Sequence, residues 1–225
     1  MIRFLDIIFS FIAIIILLPL TFPIMLILKL TGEGEIFFLQ ERVGKNKKKF
    51  KLIKFATMIK DSPNIGTGTV TIKNDPRILP IGAFLRKTKI NELPQLLNIF
   101  FGDMSVIGPR PQTLRCFEAF PKYSQDIISK IKPGLSGIGP IVFRDEENIL
   151  DGHSDNLDFY DNVIGPFKGE IEAWYTNKQN LAIYFSLILL TLWIVIFPKS
   201  NLVWRLFKDL PVPPGELKSE LNYPY

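Results

Sequence analysis

TKINELPQLLNIFFGDMSVIGPRP, Thr88 to Pro111, is the stretch around which this sequence is organised. Leu93, Leu96, Leu97 and Phe100 recur at intervals of three and four, which predicts an amphipathic helix with Asn91 and Glu92 at its start and with Glu92 and Gln95 off the apolar face. Gly102-Asp103 then turns the chain back toward a Gly-Pro-Arg-Pro turn at 108–111. A carboxylate in a first helical turn is favoured by the helix dipole, and the free amides there attract phosphate. With Arg86, Lys87, Lys89 and Arg110 close by in sequence, the stretch offers an acid, a phosphate-friendly helix end and cations.

Upstream, FKLIKFATM alternates like a strand, with Leu52, Ile53 and Phe55 as its buried positions and Lys54 between them. Arg42, Lys45, Lys47, Lys48, Lys49 and Lys51 make the preceding segment strongly basic, which suits anionic headgroups at a membrane or a plain solvated loop. Residues 61–76 are turn-rich, with a short strand expected at Val70 to Ile72 and a weak phosphate-cradle signal in Gly66-Thr67-Gly68. Asn74-Asp75-Pro76-Arg77 reads as a turn that starts the next segment, and Ile81 to Lys89 as a helix carrying Arg86. Downstream, Leu114 to Lys132 has helical spacing, with Phe117, Phe120, Ile127, Ile128 and Ile131 as its core face. Lys132 to Pro140 is a glycine-rich loop that permits close backbone approach to a ligand.

Both ends of the chain are apolar in long runs. Phe4 to Leu28 is broken only by Asp6, Ser10, Thr21, Pro19 and Pro23, and its length just suffices for a bilayer core of roughly 30 Å. Pro19 removes a backbone donor in mid-segment, so the run is either a bent spanning helix or a helix-break-helix that returns to the same face. Leu181 to Phe197, rising about 25 Å, falls short of a bilayer core and is expected to lie in or on the membrane, with Tyr184, Trp193 and Trp204 at the interface; a second span is the alternative. The proline-rich tail from Pro211 is expected to be poorly ordered.

Composition agrees with a membrane setting: 225 residues, 47% of them hydrophobic, carry a net charge of +5 and a mean hydropathy of +0.20. Cys116 is the one cysteine and cannot form an internal disulfide, which points to a reducing compartment. One cysteine and one histidine make a zinc site improbable. The clustered cations are read as a surface for lipid or phosphate, and no nucleic-acid partner is expected.

The Thr88 to Pro111 stretch, taken with NDPR at 74–77, FLRKT at 84–88 and the basic segment before them, resembles the bacterial sugar transferases, the monotopic polyprenyl-phosphate phosphoglycosyl transferases, over most of residues 1–145. That family reads Asp-Glu where this chain has Asn91-Glu92, and a second cation where it has Ala56. The resemblance implies a helix-dominated α/β monotopic membrane protein with an N-terminal re-entrant helical hairpin, breaking near Pro19, and amphipathic surface helices. It implies that residues 1–30 are the hairpin, 31–180 the cytoplasmic catalytic domain, 181–198 the membrane-associated helix and 199–225 a tail.

The implied reaction moves a phospho-sugar from a UDP-sugar to polyprenyl phosphate at the cytoplasmic face of the bacterial inner membrane, releasing UMP, with Mg²⁺ as cofactor. By resemblance Lys54 is an active-site lysine, Asp75 and Arg77 line the site, Lys54, Arg77, Arg86, Arg110 and Arg144 bind substrate phosphates, and Glu92 and Asp75 hold the metal. For Asp75 an Asp-Pro turn is an equal explanation, and for Arg144 a salt bridge to Asp145–Glu147. In the family the Asp of the pair attacks the β-phosphate, a role the carboxamide of Asn91 cannot inherit. Three readings follow: Glu92 is the nucleophile, the lipid phosphate attacks directly while Asn91 orients the donor, or the chain is a silent homologue that binds nucleotide-sugar or lipid as a partner or scaffold.

Overall fold

The computed structural model describes residues 1–225 except 32, 66–74, 152–154 and 225, so the strand expected at Val70 to Ile72, the Gly66-Thr67-Gly68 run and Asn74 lie outside the described residues. The chain forms two compact units: Phe4–Glu41 with Lys51–Phe101, and Met1–Arg3 with Arg42–Phe50 and Gly102–Tyr225.

The first unit opens with α1 (Ile2–Leu30), a 29-residue helix long and apolar enough to cross a membrane. It is continuous where a break was expected: Pro19 and Pro23 both lie inside it. Each proline deletes one backbone donor, which a helix this long and apolar survives as a local weakness. Ile24 and Leu28 pack on Phe55 and Leu85, and Phe11 stacks on Phe100 at 6.1 Å, whereas Ile12, Ile15, Ile16, Leu18, Leu20 and Phe22 are exposed.

Next come β1 (Phe37–Val43) and β2 (Lys49–Phe55), paired with each other through a turn at 44–48 too short for anything but an antiparallel hairpin. The chain leaves β2 along Thr57, whose carbonyl accepts from Leu79 N at 3.0 Å, and α2 (Pro80–Lys87) begins there. Gly82 is required at this crossing, because a Cβ would come within 2.2 Å of the Thr57 carbonyl oxygen.

A 3₁₀ turn at Ile90–Glu92 leads to α3 (Gln95–Phe101). The face of α3 that is buried is not the apolar one expected: Gln95, Asn98 and Ile99 are inside, Leu93, Leu96, Leu97 and Phe100 are half-buried, and Phe101 is exposed. Asn98 explains the rotation. Its Oδ1 accepts from Ile53 N at 2.9 Å and its Nδ2 donates to Lys51 O at 2.8 Å, so the amide satisfies the open edge of β2.

The second unit holds β3 (Ser105–Ile107), α4 (Leu114–Glu118), α5 (Lys122–Ile128), β4 (Gly134–Ser136), α6 (Ile138–Val142), α7 (Glu146–Asp151), α8 (Asn156–Phe159), α9 (Gly165–Lys178), α10 (Leu181–Ile196), α11 (Leu202–Leu206) and α12 (Gly215–Lys218). The single helix expected over Leu114 to Lys132 is split, because Pro121 has no N–H to continue the ladder; Gln125 Nε2 donates to the Phe120 carbonyl at the break at 2.7 Å. The expected core face survives the split, with Phe117, Phe120 and Ile128 clustered on Val43 and Ala173. β3 and β4 pair in parallel, Ser105 with Gly134 and Ile107 with Ser136.

α10 buries Tyr184, Leu187, Leu190 and Ile194 and exposes Phe185, Leu189, Leu192 and Val195. Of the three aromatics expected at a membrane interface only Trp193 is exposed; Tyr184 and Trp204 are core residues. The tail is folded, contrary to expectation. Trp204 Nε1 donates to Leu221 O at 3.0 Å, Leu210, Leu217 and Leu221 are buried, and Asp209 takes a hydrogen bond from Trp174 Nε1 and an ion pair from Lys178 of α9. Enough apolar side chains return to the core to offset the entropy of ordering the prolines' neighbours.

Candidate active site

The first unit brings Lys54, from the end of β2, to Glu92, from the turn before α3. Lys54 Nζ stands 3.4 Å from Glu92 Oε1, and each side chain is about one-fifth exposed, 18% and 20%. The turn exists because Lys89 adopts a left-handed conformation at φ 58°, which ends α2 abruptly and swings 90–92 into a 3₁₀ turn. Asn91, beside Glu92, is 7% exposed, and its Oδ1 has no hydrogen-bond partner among the described residues. A buried acceptor left unpaired costs about 1–3 kcal/mol, so this oxygen is poised for a donor. Arg86 reaches the same segment from α2, its Nη1 lying 3.5 Å from Thr57 Oγ1.

Asp75 and Arg77 are committed to each other. Arg77 Nη2 and Nε donate to the two oxygens of Asp75 at 2.5 and 2.8 Å, and Arg77 Nη1 donates to the carbonyls of Ser62 and Ile65 at 2.7 and 2.8 Å. Both side chains are almost wholly buried, 5% and 1% exposed. At the positions expected to supply a metal ligand and a phosphate cation, the structure has an Arg–Asp fork that braces the 61–65 turn.

Arg110 and Arg144 belong to the second unit. Arg144 is exposed at its position and donates through Nη1 to the Ile194 carbonyl near the end of α10; among the described residues no bridge from it to Asp145 or Glu146 is present, and Glu146 pairs with Lys168 at 2.6 Å. The backbone N–H of Arg110 donates to Oε1 of Glu172 at 2.9 Å.

Glu172 was not legible as a site residue. It is 1% exposed in α9, and burial pushes its carboxyl up to about 7 against the lowering pull of the Arg110 amide, Lys168 and the Arg110 charge. A carboxyl raised in the folded state from its usual 4.5 favours folding at acid pH, and that advantage is lost as pH rises from 4.5 through 7. Glu172→Gln is therefore expected to be more stable than wild type by about 3 kcal/mol above pH 7. The difference should vanish near pH 4.5, which unfolding curves at both pH values check.

For Mg²⁺, the chemistry of the donors discriminates between the two acids expected to hold it. Glu92, one-fifth exposed beside Lys54, is a carboxylate of the kind a cation takes together with substrate phosphates; Asp75, with both oxygens bonded to Arg77, is not. Among the described residues no cluster of three or more acids, histidines or cysteines is present.

The family model described as bacterial sugar transferase matches residues 1–198. Over 143 residues the chain is 40% identical to the exopolysaccharide production protein PSS of Rhizobium leguminosarum bv. phaseoli, a match covering 60% of this chain and 70% of that protein. It is 32% identical over 199 residues to the UDP-glucose:undecaprenyl-phosphate glucose-1-phosphate transferase of Klebsiella pneumoniae, covering 87% of this chain and 40% of the relative. It is 37% identical over 144 residues to the UDP-N-acetylgalactosamine-undecaprenyl-phosphate N-acetylgalactosaminephosphotransferase of Aeromonas hydrophila, covering 62% and 33%. The chain thus spans less than half the length of the last two.

Proposed function

The chain belongs to the bacterial sugar transferase family, and from that premise we propose that it moves a phospho-sugar from a UDP-sugar to polyprenyl phosphate, giving a polyprenyl-diphosphate-sugar and UMP, as an opening membrane step of exopolysaccharide, capsule or O-antigen assembly. The observation that carries this reading is the Lys54–Glu92 pair, an ammonium and a carboxylate held together at a half-buried site on the unit that carries α1. The bond that breaks joins the β-phosphorus to the oxygen bridging the α-phosphate. The electron pair leaves with UMP, and the new bond forms from the β-phosphorus either directly to a lipid-phosphate oxygen or first to a carboxylate, which then leaves as a lipid-phosphate oxygen attacks the same phosphorus.

Lys54 and Arg86 supply positive charge for the diphosphate, and Arg110, on the other unit, is taken as a phosphate ligand from the resemblance of its Gly-Pro-Arg-Pro turn. Glu92 would hold Mg²⁺, which when bound neutralises diphosphate charge. Asn91 presents an unpaired carbonyl oxygen, suited to accept from a donor hydroxyl. Lys54→Met is expected to lower the rate of UMP release by about 10²-fold, with unfolding little changed because a partly exposed pair contributes about 0–1 kcal/mol. A methionine variant of full activity would remove Lys54 from the site. Release of UMP from a panel of UDP-sugars in the presence of polyprenyl phosphate identifies the sugar; no release from any of them contradicts the transferase reading and favours a silent binding homologue.

The proposed setting is the cytoplasmic face of the inner membrane, with residues 1–30 as anchor, 31–180 as the catalytic part and 181–198 lying in the interface. Although α1 is a continuous helix, we propose that the anchor is re-entrant and bends at Pro19 when seated in one leaflet. Phe11 and Ile24/Leu28 contact the same unit, while the residues between them expose apolar side chains, and the two lost backbone donors lie in that interval. α10, on the other unit, exposes an apolar face of its own that suits an interfacial position.

A further inference from the structure

Glu172 is a buried carboxylate that the mechanism above does not use, and its surroundings are built around it. Its Oε1 accepts from Arg110 N at 2.9 Å, and the Gly139 amide also acts on it. A Cβ at Gly139 would lie 2.1 Å from Oε1, so a side chain there would have to displace the Glu172 carboxylate. One helical turn on, Tyr175 Oη donates to the Ile107 carbonyl at 3.3 Å, so α9 grips the chain on both sides of Gly108 and Pro109. The turn is also sewn to the glycine-rich loop: Gly108 N donates to Ser136 O at 2.9 Å and Gly134 N to Pro109 O at 2.8 Å. Cβ atoms at 108, 134 and 137 would strike backbone at 2.6, 2.0 and 2.2 Å. Backbone bonds thus fix where the turn lies, and Glu172 supplies a charge beneath the residue it presents.

We propose that Glu172 is a positioning residue: as a carboxylate it anchors the Arg110 backbone and so aims Arg110 at the diphosphate of the sugar nucleotide. This rests on the reading of Arg110 as a phosphate ligand. A charged acceptor holds an N–H about twice as strongly as a neutral one, so protonating Glu172 loosens the turn without unfolding it. Burial places that event near neutral pH.

The charged groups around Glu172 are few. Lys168, on its own helix, is 2% exposed and is held by Glu146 of α7 at 2.6 and 2.8 Å; Arg110 faces it from the turn. α6 carries no ionisable side chain, and α5 buries only Ser124, Gln125 and Ile128. In the turn that precedes α9, Tyr160 lies against Cys116, and Asp161 pairs with Arg115 at the surface. With Lys168 already shared with Glu146, and Arg110 the residue whose position is at issue, the proton on Glu172 is the switch.

The test is calorimetric binding of UDP-glucose, whose diphosphate diester keeps its charge between pH 6 and 8, to the full chain in nanodiscs without polyprenyl phosphate. Wild type should bind about tenfold more tightly at pH 8 than at pH 6. Glu172→Gln should bind at the weaker level at both, Glu172→Asp should keep the pH slope, and Arg110→Ala should bind weakly with no slope. A slope absent from wild type, or retained by Glu172→Gln, overturns the proposal while leaving Arg110 as a ligand. Binding by Arg110→Ala as tight as wild type, or no binding by wild type at either pH, refutes the donor-site reading and the proposal with it. If Glu172→Gln fails to fold, the wild-type slope and its persistence in Glu172→Asp decide the matter.

Discussion

Glu92→Gln is expected to abolish turnover, lowering UMP release by at least about 10³-fold. The variant keeps the shape and a hydrogen-bonding oxygen toward Lys54 but removes the charge that can attack phosphorus or hold a cation. Stability should hardly change, since the Lys54–Glu92 pair is partly open to solvent and such pairs contribute about 0–1 kcal/mol. Loss of rate without loss of fold is therefore the diagnostic combination. Incubating wild type with the UDP-sugar but no lipid acceptor then separates two routes. A phospho-sugar adduct on the peptide containing Glu92 identifies covalent transfer, and normal turnover with no adduct identifies direct attack by the lipid phosphate. Sugar transfer unchanged in Glu92→Gln would take Glu92 out of the chemistry altogether.

Arg77→Ala is expected to be the most damaging single change to stability, costing about 3–5 kcal/mol. It leaves the Asp75 carboxylate, 1% exposed, without its fork, and strips the carbonyls of Ser62 and Ile65 of their donor. Lysine does not rescue it, because one ammonium cannot reproduce a two-point fork and two carbonyl contacts together. Thermal unfolding in detergent measures the cost, expected as a fall of roughly 10 °C for a chain of this size. Loss of sugar transfer with undiminished stability would instead return Arg77 to the substrate and undo its reading as a brace.

What the sequence disclosed follows from how local each signal was. The strand carrying Lys54, the helix carrying Arg86 and the apolar run at 181–196 rest on short-range periodicity, and each forms within a residue or two of its expected place. The Lys54–Glu92 contact joins residues 38 apart and was accessible only through the resemblance. The face of α3 was misread because periodicity assumes that apolar residues point inward. Here the amide of Asn98 takes the inside to satisfy β2, and Phe100 turns toward Phe11 of an apolar anchor. The tail's prolines predict disorder, but Leu210, Leu217 and Leu221 are buried through contacts with Trp204 and α9 that lie far away in sequence. Glu172 had no local mark at all, since its meaning comes from Gly139 and Arg110 meeting it in space.

The central claim is that a half-buried acid and cation pair beside an apolar anchor lets a water-borne donor react with a lipid-borne acceptor. Mass spectrometry of lipid extracts tests it most directly, after the purified chain is reconstituted in nanodiscs with polyprenyl phosphate, Mg²⁺ and a panel of UDP-sugars. The account predicts a polyprenyl-diphosphate-sugar from at least one donor, formed in step with UMP and missing from Glu92→Gln. No lipid-linked product from any donor, or the same product from Glu92→Gln, would contradict it.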